Sequence, residues 1–115
     1  DFETSTPSQA PVLTKNWIEN LNYRLELCKN NDEKLLEILH SHIEFERIHP
    51  FSDGNGRTGR LIMLYLCFQE KMSPFVIEKS DRALYMTYLR EQNVEIIFER
   101  VKELQKFEDN RLTQF

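Results

Sequence analysis

Glycine is scarce in this chain: there are three in 115 residues, and all three fall between positions 54 and 59. Proline is also sparse, at four, so little in the sequence interrupts regular structure. There are only two cysteines, Cys28 and Cys67, with neither metal-like nor redox spacing. Both lie in apolar helical patterns and are expected to be free thiols, although a disulfide between them is left open. No long apolar run exists; the longest, "LIMLYLCF" from Leu61 to Phe68, is far too short to span a bilayer. No signal-peptide pattern is present, so a cytoplasmic location is expected. There is no excess of positive charge either, the formal net charge being −4 with a pI near 5.4. That argues against nucleic acid or an acidic membrane surface as partner. Because the chain opens on Asp1 rather than Met, upstream sequence is expected.

At 40% hydrophobic, the chain can bury the core of one ordinary domain. Two prolines among Ser and Thr make "DFETSTPSQAPVL" an extended or loop-like arm over residues 1–13. From Thr14, a plausible N-cap, Trp17, Leu21, Leu25 and Cys28 recur on one helix face. Asp32 can cap a second helix whose inward side is Leu35, Leu36, Leu39, Ile43 and Phe45 or Glu46; it should end near Arg47, because Pro50 disfavours helix before it. A third helix, from about Gly56 to Glu70, is apolar nearly all round, which predicts the middle of a bundle. Asp81 can cap a fourth helix carrying Leu84, Tyr85, Tyr88 and Leu89. A fifth starts near Asn93, with Val94, Ile97, Phe98, Val101, Leu104 and Phe107 facing in. The expectation is an all-α bundle over residues 14–115, preceded by the arm.

The glycines belong to "IHPFSDGNGRTGR", residues 48–60, between the second and third helices. A helix N-terminus offers unpaired N–H groups and about half a positive charge. Gly54 and Gly56 let that backbone approach a ligand closely. Arg57 and Arg60 then add cations where the helix dipole disfavours them, and only Asp53 nearby can offset both. This combination points to a polyphosphate cradle. Asp53 suits Mg²⁺, which takes one or two carboxylates plus phosphate oxygens. His49 is the group able to accept a proton near neutral pH. An EF-hand fails, because the positions that should hold its ligands, glycine and final glutamate are Arg57, Thr58 and Leu64. A Walker A loop lacks its Gly-Lys-Ser/Thr.

The segment His49 to Arg60 resembles the signature of Fic-domain proteins, His-Pro-Phe-x-Asp/Glu-Gly-Asn-Gly-Arg-x-x-Arg, at all nine specified positions. "FERI" before it and "TGRLIMLYL" after it also resemble the family's flanks. The resemblance implies a Fic-type helical bundle that transfers AMP from ATP to a Ser, Thr or Tyr hydroxyl of a protein target. By position, His49 would be the general base and Asp53 the Mg²⁺ ligand. Gly54, Asn55 and Gly56 would form the anion hole, with Arg57 on the β-phosphate side and Arg60 on the γ-phosphate. An extended or β-hairpin flap upstream would dock the target, with Phe2, Glu3 and Thr4 facing it. Transfer of UMP or phosphocholine, or nucleotide binding without turnover, are the alternatives.

Many members carry an inhibitory helix, Ser/Thr-x-x-x-Glu-Gly/Asn, whose glutamate pairs with the motif's second arginine. Thr87-x-x-x-Glu91 is the nearest match, but Gln92 departs from the pattern. An inhibitory helix or an antitoxin outside this chain is therefore expected to supply that control, and a homo-oligomer is left open. Among the remaining residues, His40 and His42 point to different faces of the second helix and do not make a metal site. His42 could buttress the loop, and Glu44 and Glu46 read as surface charges, Glu46 with a reach to Arg47 or Arg57.

Overall fold

The structure, a computed structural model, describes residue 6, residues 8–49 and residues 54–112. Among the described residues five α-helices run in chain order: α1 (Ala10–Leu27), α2 (Asn31–Ile48), α3 (Asn55–Gln69), α4 (Arg82–Glu91) and α5 (Phe98–Leu112). Short 3₁₀ turns at Lys79–Asp81 and Val94–Ile96 lead into α4 and α5. No strand occurs among the described residues, so the all-α expectation holds. Of the arm, residues 1–5 and 7 lie outside the described residues, and with them Phe2, Glu3 and Thr4.

The first helix begins four residues before the expected Thr14, taking in Ala10 to Leu13. Pro11 sits in its first turn, where the missing N–H would have had no partner anyway. Thr14 is thus inside the helix, its hydroxyl donating to the Ala10 carbonyl at 2.7 Å. Trp17, Leu21 and Leu25 are buried along one face as read. The Trp17 indole N–H donates to the Ser41 carbonyl at 2.8 Å, and its ring packs 5.3 Å from that of Phe45, fixing α1 against α2.

The second helix starts one turn's fraction earlier than Asp32 would set it. Asn30 is the cap: its side chain accepts from the Glu33 N–H at 2.9 Å, and Glu33 reaches back to the Lys29 N–H at 2.9 Å. The helix buries Leu35, Ile38, Leu39, Ile43, Phe45 and Ile48, each contributing about 1.5–3 kcal/mol relative to exposure. It packs on α1, α3 and α5. The middle of the bundle is therefore α2, not α3 as its all-round apolarity predicted. The third helix buries Met63, Leu66 and Cys67, while Leu61, Tyr65 and Phe68 are about two-thirds exposed. A continuous apolar run tells which residues prefer cover, not whether a neighbour supplies it.

Asp81 does not cap α4 through its side chain. Its carboxylate instead accepts from the Glu78 N–H and pairs with Arg100 of α5 at 2.8 Å, joining the two helices' entries. The Arg100 guanidinium holds the Asp81 carboxyl below the usual carboxylate range. Ile97, just before α5, and Phe98, Val101 and Leu104 on it are buried as read, but Phe107 is exposed. Both cysteines are free.

Candidate nucleotide site

Two helix ends meet at the site. The second helix finishes at Ile48, and His49 takes the left-handed conformation (φ 52°) with its N–H on the Phe45 carbonyl. Such a cap turns the chain sharply off the helix axis and leaves the imidazole exposed. Residues 50–53 lie outside the described residues, including Pro50, Phe51 and the expected metal ligand Asp53. The third helix then opens at Gly54, in the left-handed region at φ 80°, where a side chain would be strained. Its first turn contains no acidic residue and no side-chain cap.

Between these ends is an open cleft of about 390 Å³, within the range of small-ligand sites. Glu46, His49, Gly54, Asn55, Gly56, Arg57 and Arg60 line it. The structure thus brings His49, the Gly-Asn-Gly segment and both arginines to one cleft. Asn55 is buried, so its side chain belongs to the frame rather than to bulk solvent.

The glycines have a second use that the sequence did not disclose. A Cβ on Gly54 would meet the Arg57 guanidinium at 3.0 Å, and one on Gly56 would meet that of Arg60 at 3.2 Å. Each arginine therefore folds back over the glycine preceding it by three or four residues. Two delocalised cations lie against the N-terminal turn of α3. That is a concentration of positive potential with no acidic partner on its own turn.

Gly59 serves the floor of the site. A Cβ there would lie 2.7 Å from Glu46 Oε1 and 2.8 Å from His42 Cε1, closer than real contacts allow. Only glycine lets α3 settle this closely on α2. His42 is fully buried and shares a 2.6 Å hydrogen bond with the Tyr85 hydroxyl. Its ring stacks on Tyr88, whose own hydroxyl donates to the Leu39 carbonyl. Burial, helped by the Arg60 charge, lowers the His42 pKa from 6.5 to about 3, so the ring is neutral. Burial also pushes the Tyr85 hydroxyl up to about 12. These are packed, uncharged supports rather than acid–base groups.

Sequence reasoning gave Glu46 no part in the site: it offered the residue as an alternative to Phe45 on the inward side of α2 and otherwise as a surface charge with a reach to Arg47 or Arg57. The carboxylate lines the cleft, its side chain only 14% exposed, and Oε1 is buried without a hydrogen-bond partner. Desolvation raises its pKa, against the opposing pull of Arg60 and then His49. The available signal was spacing: residues 42 and 46 lie one turn apart on one face of α2, just before the motif that begins at His49. Thr87 and Glu91, the weak inhibitory match, are otherwise engaged. The Thr87 hydroxyl donates to the Ala83 carbonyl and Glu91 lies beside Arg90, exposed.

Comparison with known proteins agrees with the cleft. The family model described as Fic/DOC matches residues 1–67. "Protein adenylyltransferase Fic" of Aedes aegypti is 45% identical over 53 residues, which is 46% of this chain and 11% of that protein. The protein of the same name from Nematostella vectensis is 42% identical over 64 residues, 50% of this chain and 15% of its own length. That of Drosophila persimilis is 41% identical over 54 residues, 47% of this chain and 11% of the relative. The aligned part is thus a small fraction of each relative's length. No solved structure matches the chain significantly. No helix among the described residues is long and apolar enough to cross a membrane. With the family model covering more than half of its residues, the chain belongs to the Fic/DOC family.

Proposed function

We propose that this chain is the catalytic part of a protein adenylyltransferase, moving AMP from ATP to a side-chain hydroxyl of a target protein. The observation that carries this reading is the convergence of an exposed imidazole, a helix N-terminus opened by glycine and two guanidiniums on one cleft. An anion with several phosphates satisfies all of them at once. The names of the relatives point to the same activity.

In this mechanism the triphosphate lies across the start of α3. The N–H groups of the Gly54–Gly56 segment and the Asn55 amide hold the α-phosphate. Arg57 takes the β-phosphate side and Arg60 the γ-phosphate. His49 removes the proton from the target hydroxyl as its oxygen attacks the α-phosphorus. The bond between the α-phosphorus and the bridging oxygen to the β-phosphate breaks, and pyrophosphate leaves. Charge developing on the phosphoryl oxygens meets donors already aimed at them. Among the described residues no three His, Cys, Asp or Glu side chains converge on one point. A divalent ion would therefore rest on Asp53 and on phosphate oxygens, the ligand set that suits Mg²⁺. When bound, Mg²⁺ would neutralise charge between the α- and β-phosphates.

Target docking falls to the stretch before Ala10, with Phe2, Glu3 and Thr4 as the contact residues of a flap that adds a strand to the target. Residues 14–115, now extended back to Ala10 by the helix, form the core. Control by an inhibitory helix or antitoxin from outside this chain, and a cytoplasmic setting, complete the proposal.

Incubating the protein and a lysate with α-labelled or γ-labelled ATP tests it. Label should pass from the α position alone, and His49→Ala should lower transfer on the order of 10²–10⁴-fold. Transfer from the γ position would make the protein a kinase. Transfer from neither, with nucleotide still bound, would leave a binding module, and transfer from labelled UTP alone would move the reading to UMP.

A further inference from the structure

Besides Asp53, the proposed metal ligand, the cleft receives a second carboxylate, Glu46, from α2. Glu46 lies in the last turn of α2, three residues before His49, and both residues line the same cleft. It is wedged into the seam between α2 and α3, where only the missing Cβ of Gly59 makes room for Oε1. Its neighbour His42, with Nε2 3.8 Å away, is neutral and cannot cancel its charge. Oε1 has no hydrogen-bond partner, and the cationic groups it faces are Arg60 and His49, both lining the same cleft.

We propose that Glu46 is a specificity-determining residue that sets how much phosphate charge the cleft accepts. Its carboxylate draws Arg60 inward and repels the far end of a polyphosphate. The pocket's own core, not an added segment, thereby opposes the triphosphate. The opposition grows with the number of phosphates near Arg60, so ATP is penalised most, ADP less and AMP least. The inference rests on the reading that this cleft binds a nucleotide by its phosphates.

Isothermal titration of ATP, ADP and AMP, in EDTA so that no metal masks the phosphate charge, tests it. Glu46→Gln, which keeps the shape and removes the charge, should tighten ATP about five- to tenfold, ADP less, and leave AMP within error. Glu46→Leu should reproduce that order, while Glu46→Asp, which keeps the charge, should hold the wild-type ATP-to-AMP ratio. Unchanged or weaker ATP binding in the neutral variants overturns the proposal. So does an equal shift for all three nucleotides, which would mark a packing role. If wild type and variants bind none of the three, the cleft reading fails and this inference falls with it. If wild type discriminates among the three nucleotides and the neutral variants match it, only the role of Glu46 falls.

Discussion

α2 and α3 pack side by side, yet their first turns are built from opposite materials. The start of α2 is closed: Asn30 caps Glu33, Glu33 caps Lys29, and Asp32 and Glu33 suit the dipole. The start of α3 is open: a positive-φ glycine, no capping side chain, no acidic residue, and two guanidiniums laid over Gly54 and Gly56. Each choice that stabilises α2 is reversed in α3. One chain thus holds one helix entry built for stability and another built without the usual stabilising groups.

The largest expected effect separates the two starts by acid. Beneath α3, His42 is buried and neutral, with a folded pKa near 3 against 6.5 when unfolded. Between those values the unfolded chain binds more protons, so stability falls as pH drops from about 6.5 towards 3. Each unit is about 1.4 kcal/mol, so the total loss is on the order of several kcal/mol. Asp81, whose folded pKa is depressed, adds its own loss only below about pH 4. Asn30 has no proton to gain. Urea melts across this range should show the loss, and His42→Phe should flatten it between pH 6.5 and 4.5 whatever it costs at neutral pH. A wild-type curve flat from pH 7 to 4.5 would sink the buried-neutral assignment.

Converting the open start into a closed one comes next. Arg57→Glu places an acid in the first turn of α3, as α2 already has. Stability should rise by about 0.5 kcal/mol, while ATP affinity falls on the order of 100-fold through loss of a charge-assisted contact. Opposite signs in the thermal melt and the titration are the signature sought. A fall in both would mean that Arg57 serves the fold.

The glycines give a third test, of about 1–2 kcal/mol. Gly59→Ala should destabilise by roughly that much, because overpacking against the pinned His42 ring outweighs the gain in helix propensity. Gly56→Ala meets only the movable end of Arg60, so propensity should win and the protein should be slightly more stable while binding ATP less well. If both alanines behave alike in the melt, the floor of the site is looser than drawn.

How far such differences can be read beforehand depends on what they rest on. The open start of α3 was legible because its chemistry is local: glycines, arginines and a helix boundary fall within a dozen residues. So were the inward faces of α1 and α5, except Phe107, because periodicity reports them directly. The cap of α2 was misplaced by two residues because Asn30, Asn31 and Asp32 are chemically alike as caps. The central position of α2 and the exposed stripe on α3 depend on which helices meet, which no single helix encodes. The place of Glu46 in the cleft escaped for the same reason. A glutamate near a helix end looks solvated until α3, brought close by Gly59, closes over it.

The smallest prediction returns to the closed start. Asn30→Ala removes the acceptor for the Glu33 N–H and should cost about 1 kcal/mol. Because that end of α2 lies 18 residues from His49, ATP affinity and transfer should not move. The matching change at α3, Gly54→Asn, supplies a capping side chain that α3 lacks and a residue that tolerates φ 80° better than most. It should cost at most about 1 kcal/mol and yet crowd the Arg57 guanidinium, 3.0 Å from the new Cβ. Binding should therefore suffer at the start that gains a cap and hold at the start that loses one. If Gly54→Asn leaves ATP affinity intact, the openness of α3 is an accident of its loop and not a requirement of its ligand.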